Sequence, residues 1–400
     1  MLRIKSIVRF LRLALLNVAD FFVFKDNHLW IFPVYFIGRG EFSDNSFAIF
    51  QEVRLNPKIR KVVLYRSAPP EVDGENIVLV KMNTYRAALC MMRARVIFVQ
   101  HSLWLDYRQA KHQLYIPFRR IVVNLWHGIP IKNIAHEHTG IDNLRFRLEM
   151  PYYRLISSSG ADLLNMSQAF PKTYRSNIWI TGLPRNDFLL CPLCKLPGVY
   201  QKQYSKLKGV IGDERLIVYA PTYRETQVGG EYYQFSEFEL LSLRDFCTTN
   251  GVLFGVRYHL YRRPASLNNL LKQDFVLDLS SDRYFDFRTV LRACSLLITD
   301  YSSVCVDAGY ARVPSVSFAY DFDHYMSVQR GFFFELDKVF SGALSKDFQT
   351  LLVCIQELLG AKYKANDWLD NTLFEYRDCA NSQRVVEEIL KETLGEVGAG

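Results

Sequence analysis

Short runs of β-branched, aromatic and aliphatic residues recur along the chain, with helical stretches between them. LWIFPVYF begins at Leu29, KVVLY at Lys61, NIVLV at Asn76, RVIFV at Arg95, RIVVNLW at Arg120 and NIWITG at Asn177. Such alternation predicts a parallel, doubly wound sheet. The stretch CPLCKLPG from Cys191 interrupts the pattern, which then restarts with RLIVYA from Arg215, GVLFGVRYH from Gly251, FVLDL from Phe275, LLIT from Leu296 and PSVSF from Pro314. The chain therefore reads as α/β, with two Rossmann-like domains over residues 26–195 and 205–345, hinged near 190–210. Helices over 348–359 and 382–394 fill a final segment, 346–400, that is free to cross back onto the first domain.

Residues 1–25 follow a different rule. Lys5, Ser6, Arg9, Arg12, Asn17 and Asp20 share one side of a helical wheel, with Ile4, Ile7, Val8, Leu11, Leu15 and Val18 largely opposite. The basic residues interrupt the apolar run too early for a bilayer span, and no small-residue cleavage site follows. The pattern predicts an amphipathic helix lying on an anionic membrane surface. A helix that packs its apolar side on the first domain is the other reading.

Composition narrows the partners. The net charge of +8 over 400 residues calls for something anionic: nucleic acid, acidic lipid or a polyphosphate substrate. No single-strand, zinc-finger or helix-turn-helix signature accompanies the charge, which argues against nucleic acid. Among eight cysteines the only close pair is Cys191 and Cys194, which supports neither a disulfide framework nor a zinc ribbon. His136-Glu137-His138 lacks the spacing that puts two ligands on one helix face and reads as a polar surface turn.

In an open parallel sheet, ligands bind beyond the carboxyl ends of the strands. Polar residues gather there. WHGIPIK follows the strand ending near Leu125, APTYRE follows RLIVY, His259 follows GVLFGVRY, and TDYSS follows LLI. At the last of these, Ser302 or Ser303 can cap the helix that starts near Val304, or, with the free N–H groups of that helix, cradle a phosphate. Taken alone, the turn fits both. His127 is suited to accepting a proton from an alcohol, Gly128 permits close backbone approach, and Lys132 can meet a phosphate. Arg257 and His259 alternate on a strand and would address a phosphoryl oxygen together, with Arg224 as a further contact. Asp286, Asp300 and Asp307 read as residues that orient neighbours or cap helices, since no DxD pair stands where a metal-dependent transferase would place one. Two domains that aim such loops at each other would form a cleft.

WHGIPIK, TGLPRND, YAPTYRE, VRYH, the Asp286 segment leading into LLITDYSSVCVDAGY, and PSVSFAYDFDHY with RGFFF occur in an order and spacing that resemble the CDP-glycerol glycerophosphotransferases. That family includes teichoic acid primases and polymerases and related capsule polymerases. The early LWIFPVYFIGRGEFSDNS is similar to its entry strand and Asn-Ser helix start, and the likeness runs from about Leu29 to Phe334. Two positions depart from the family's pattern: Leu260 stands where Pro usually follows the second histidine, and Ser295 where an acidic residue is common.

The resemblance implies a GT-B fold, two Rossmann-like domains facing across a cleft, and transfer of glycerol phosphate from CDP-glycerol to an acceptor hydroxyl with release of CMP. It implies that His127 is the general base, with Gly128 and Lys132 on the acceptor side. It gives His259 and Arg257 the donor pyrophosphate, with Arg224, Thr299, Ser302 and Ser303 as further phosphate contacts. Asp300, Asp307, Tyr320 and Asp321 would shape the nucleotide end of the pocket. The acceptor would be a prenyl-diphosphate-linked saccharide or a poly(polyol phosphate), met at the cytoplasmic face of the cell membrane. No cofactor is required, and a divalent metal is compatible but not indicated. CDP-ribitol or a nucleotide sugar could replace CDP-glycerol on the same fold. A noncatalytic protein that binds anionic polymers would need no paired imidazoles.

Overall fold

The computed structural model describes residues 14–34, 41–107, 110, 119–135, 153–222, 232–258, 267–328, 331–342, 344–360 and 366–395. The chain divides into two compact units. One comprises Met1–His127, Thr139–Asp187 and Ala380–Gly400, and the other Gly128–His138 and Phe188–Cys379.

The first unit is built on seven parallel strands: β1 (Asp26–Pro33), β2 (Arg60–Tyr65), β3 (Ile77–Lys81), β4 (Ala94–Val99), β5 (Ile121–Asn124), β6 (Tyr153–Ser157) and β7 (Ile178–Ile180). Their order is β3-β2-β1-β4-β5-β6-β7. All six residues of β4 and all four of β5 are buried, which is why their sequences read as unbroken apolar runs. The second unit repeats the plan with β8 (Arg215–Tyr219), β9 (Val252–Val256), β10 (Val276–Asp278), β11 (Cys294–Thr299), β12 (Ser315–Phe318) and β13 (Leu344–Ser345), ordered β10-β9-β8-β11-β12-β13. In each sheet the winding reverses once, between β1 and β4 and between β8 and β11. Ligands of such sheets are received beyond the strand ends at that reversal.

Two strands lie outside the sequence pattern. β13 has only two residues, too few to show any period. β6 is broken by Arg154, whose Nε donates to Glu392 at 2.6 Å in the helix Asn381–Gly395. The charge that interrupts the apolar run is thus a docking point for the last helix. That helix belongs to the first unit, whereas the helix Phe348–Gly360 stays with the second. Asp187 fixes the start of the last helix by accepting the backbone N–H groups of Asn381 at 2.9 Å and Ser382 at 2.8 Å. The units part between Asp187 and Phe188, ahead of the 190–210 stretch expected as a hinge.

Of the N-terminal segment, residues 14–22 are helical and those before them lie outside the described residues. Its polarity is turned around. Asp20 is buried and accepts from Arg120 Nη1 at 2.7 Å and from Lys25 Nζ at 3.1 Å, while Lys25 also donates to the Met92 carbonyl at 2.8 Å. Leu15 and Val18, which a packing helix would bury, are exposed together with Phe21, Phe22 and Phe24, the last two at 80% and 87%. Among the described residues no helix is long and apolar enough to cross a membrane.

Candidate active site

In the first unit the chain leaves β5 through a corner made of unusual backbone. Trp126 has φ of 46° and Gly128 φ of 145°, left-handed conformations that a bulky residue adopts only when its surroundings enforce it. The enforcement comes from Asn45, which is fully buried at the start of the helix Asp44–Val53. Its Nδ2 donates to the carbonyls of Leu125 at 3.0 Å and Trp126 at 3.2 Å, and its Oδ1 accepts the Arg185 N–H at 3.0 Å. Asn124 Oδ1 accepts the Trp126 N–H at 2.9 Å. Arg185 closes the corner, donating from Nη1 to the His127 carbonyl at 2.9 Å and to Asp44 at 3.4 Å.

This corner presents His127. Its ring stacks on His101 at a centroid distance of 4.8 Å and lies 4.3 Å from the Trp126 ring. His101 follows β4, and its Nδ1 is 3.3 Å from Asp106 Oδ1, while Asp106 Oδ2 accepts the N–H groups of Gln100 and His101 at 2.8 Å each. Burial among protein atoms lowers the His127 pKa most, and His101 and Arg185 lower it further against the opposing effects of Asp44 and a hydrogen bond to the Gln100 backbone, bringing it down to about 3. The residue nonetheless keeps an exposed surface, where water relieves part of the desolvation. The direction is what matters: the ring is neutral at neutral pH and able to accept a proton.

In the second unit the reversal between β8 and β11 is organised by Asp300. This buried carboxylate accepts the N–H groups of Thr222 at 2.8 Å and Tyr301 at 2.7 Å together with the Thr222 hydroxyl, and its carbonyl accepts from Ser317 Oγ at 2.9 Å. Ser302 and Ser303 follow, half-buried, ahead of the helix Val304–Tyr310. Ser302 Oγ makes only a long contact of 3.4 Å to the Val304 N–H, and the Ser303 side chain does not cap the helix. Tyr301 donates to Asp321 Oδ1 at 3.0 Å and lies 4.0 Å from the Tyr325 ring. Tyr320 joins an aromatic group with Tyr233 and Phe318.

Residues 16–391 match the family of CDP-glycerol:poly(glycerophosphate) glycerophosphotransferases. The chain belongs to that family. It is 25% identical over 369 residues to the teichoic acid glycerol-phosphate transferase of Staphylococcus aureus (strain NCTC 8325 / PS 47), covering 88% of this chain and 90% of the relative. It is 24% identical over 392 residues to the teichoic acid ribitol-phosphate polymerase TarL of the same strain, covering 96% of this chain but 66% of that longer protein. Its fold is like that of the wall teichoic acid polymerase TagF, with a TM-score of 0.76 at 21% identity over 98% of this chain and 96% of the other. The fold is therefore of GT-B type.

Several residues of this glycerophosphotransferase stand in places that the sequence alone does not indicate. β9 ends at Val256, so Arg257 does not alternate with His259 on a strand. Its guanidinium instead donates to the carbonyls of Leu279 at 2.8 Å, Tyr284, and Phe285 at 3.3 Å, and braces that loop. Thr299 is buried and donates to the Ala220 carbonyl at 2.6 Å, tying β11 to the loop after β8. Gly128 and Lys132, expected with the acceptor domain, cluster with the second unit. Lys132 pairs with Phe332 in an isolated bridge, and its ammonium lies 5.4 Å from the centre of the Tyr325 ring. Its charge also reaches Cys305 in the helix after the two serines, where burial raises the thiol pKa, Asp307 adds to the rise and Lys132 acts against it. Asp307 itself is buried in that helix. Asp286 caps the helix Phe287–Leu291 by accepting the Arg288 N–H at 2.8 Å.

Arg224, His259 and the 136–138 turn lie outside the described residues. Among the described residues no three His, Cys, Asp or Glu side chains gather as metal ligands would. Among the described residues the cysteines form no disulfide.

Proposed function

We propose that the protein transfers glycerol phosphate from CDP-glycerol to a hydroxyl of a membrane-linked acceptor, releasing CMP, in the synthesis of a teichoic acid or similar polymer. The observation that carries the reading is His127: a neutral imidazole with an exposed surface, presented on a backbone corner that four hydrogen bonds with Asn45, Asn124 and Arg185 hold in shape. The acceptor oxygen attacks the phosphorus that bears glycerol and gives its proton to His127. The new O–P bond forms as the bond to CMP breaks, and CMP leaves with the electron pair.

Donor phosphates are assigned to the turn after β11. Support comes from the Ser303 hydroxyl, which has no hydrogen-bond partner among the described residues, and from Lys132 near the same helix. Asp300, Asp321 and Tyr320 are assigned to the nucleotide end of the pocket, and Asp307 to holding the helix. His259 and Arg224 take their proposed phosphate roles from the family motif alone. Work at an anionic membrane is supported by the outward turn of Leu15, Val18, Phe21, Phe22 and Phe24, preceded in sequence by Arg3, Lys5, Arg9 and Arg12.

Ribitol is the second reading for the polyol, because a ribitol-phosphate polymerase is among the relatives. The test is to supply CDP-glycerol and CDP-ribitol in turn over prenyl-diphosphate saccharides, following CMP release and product mass. Transfer of glycerol phosphate, lost on His127→Ala with CDP-glycerol affinity kept, is expected. Full turnover by His127→Ala would overturn the base assignment, and CMP release from CDP-ribitol alone would overturn the donor.

A further inference from the structure

The strand-end residues after β4 lie beyond the roles assigned so far. His101 is half-buried, stacked at 25° on the His127 ring, and gripped from behind by a carboxylate that is 2% exposed. We propose that His101, oriented by Asp106, is a positioning residue that holds the His127 ring in its reactive orientation. This rests on the reading of His127 as the base.

The grip has three parts. Asp106 accepts the His101 and Gln100 backbone N–H groups with Oδ2, leaving Oδ1 for His101 Nδ1. Nδ1 therefore carries a proton, and the ring cannot turn about its bond to the main chain without losing that partner. The His101 carbonyl accepts from Asn124 Nδ2 at 3.0 Å, which ties it to the strand that leads into His127. Arg66 in turn donates to the Asp106 carbonyl. A stacked face restricts the neighbouring imidazole to one plane without occupying either of its nitrogens. A hydrogen bond from a side chain could not do both.

The charged groups that act on His127 are His101 from the loop after β4, Asp44 from the start of the helix Asp44–Val53, and Arg185 from the turn after β7. Of these, His101 and Arg185 disfavour the imidazolium and Asp44 favours it. Removing His101 therefore takes away both a steric guide and an influence that keeps the base unprotonated. A residue that served only folding would lower the rate equally at every pH.

The experiment compares His101→Ala and His101→Phe in the full chain, by CMP release from CDP-glycerol across neutral and acidic pH and by calorimetric titration of CDP-glycerol. His101→Ala should lower kcat about tenfold, a fraction of the effect of losing the base itself, with donor affinity unchanged. His101→Phe keeps a stacked ring and should keep most of kcat on the alkaline plateau. In both, the acid limb of the pH profile moves to higher pH. If the limb stays in place in both variants, or if kcat is unchanged in His101→Ala, His101 is not a positioning residue. Should His101→Ala fail to fold, the limb in His101→Phe decides alone. A parallel His127→Ala separates the two claims: full turnover there removes the base itself, whereas an inactive His127→Ala beside unaltered His101 variants removes only the positioning role.

Discussion

Asn45→Ala is the substitution that most directly tests how the His127 corner is held. The amide makes three hydrogen bonds inside the first unit, two from Nδ2 to the Leu125 and Trp126 carbonyls and one to Oδ1 from the Arg185 N–H. At about 0.5–1.5 kcal/mol net for each, their loss costs about 1.5–4.5 kcal/mol. Water entering the space vacated by the amide recovers part of this, so the middle of the range is expected. For a unit of this size that lowers the melting midpoint by about 5–10 °C. The same change releases a left-handed Trp126 towards ordinary backbone, and a shift of about 1 Å at the base can cost 10²-fold in rate. Asn45→Asp sharpens the test, because a carboxylate of the same shape still accepts from Arg185 but cannot donate to either carbonyl. Thermal melts and CMP-release assays on both variants, with CDP-glycerol titrations as control, measure the two effects. If both variants melt at the wild-type midpoint, the clamp is not structural. If stability falls while kcat stays, the clamp does not position His127.

The remaining tests use the same preparations. Asp20→Ala leaves Lys25 and Arg120 buried without their countercharge and should cost about 3–5 kcal/mol, read by urea unfolding; a value near zero would show that the two cations find other partners. His127 takes a proton near pH 6.5 when unfolded but only near 3 when folded, so the unfolded state binds more protons between those values. Stability should therefore fall as pH drops from 6.5 towards 3, be indifferent to this group above 6.5, and lose that slope in His127→Phe. Replacing Phe22 and Phe24 with Ser should release the protein from vesicles of acidic phospholipid without lowering its melting temperature, since both rings are exposed; unchanged vesicle binding would exclude these rings from membrane contact. Transfer is expected to persist after EDTA treatment and dialysis, and a loss restored by Mg²⁺ would show that a metal belongs to the reaction.

Much of this architecture is legible in the sequence because both sheets are buried on both faces. β1 to β5 and β7 to β12 announce themselves as apolar runs, whereas Arg154 hides β6 inside what looks like a polar connection. The rule that polar residues matter just after strands points to the loops discussed above, and His101 and Asp106 in QHSLWLD after RVIFV obey it as well as WHG does. They are easily passed over because nothing in QHSLWLD shows that His101 will face another histidine. Thr299 and Arg257 show the complementary difficulty. Each has the chemistry to meet a phosphate and the right distance along the chain, but each finds backbone carbonyls first. Partner choice of that kind depends on which loops a strand end meets, and spacing along one strand does not encode it.

The loops after β5 and after β11 treat charge in opposite ways, and the difference follows what each would have to handle. Around His127 the clamp is a neutral amide, and burial with His101 and Arg185 outweighs the opposing Asp44, so the ring would offer an empty nitrogen to an acceptor proton. A carboxylate in the place of Asn45 would raise the proton affinity of the ring. After β11 a carboxylate is tolerated, because Asp300 is buried and wrapped by the Thr222 and Tyr301 N–H groups and the Thr222 hydroxyl. Its negative charge is satisfied within the loop it builds, and the half-buried Ser302 and Ser303 follow it. An anionic phosphate approaching that turn would meet hydroxyl donors while the charge of the acid that shapes the turn is already satisfied by its own loop. Asp300→Asn should accordingly do more harm than the loss of one charge suggests. An amide must turn its oxygen to the same N–H groups and leave a donor facing a pocket built for an acceptor.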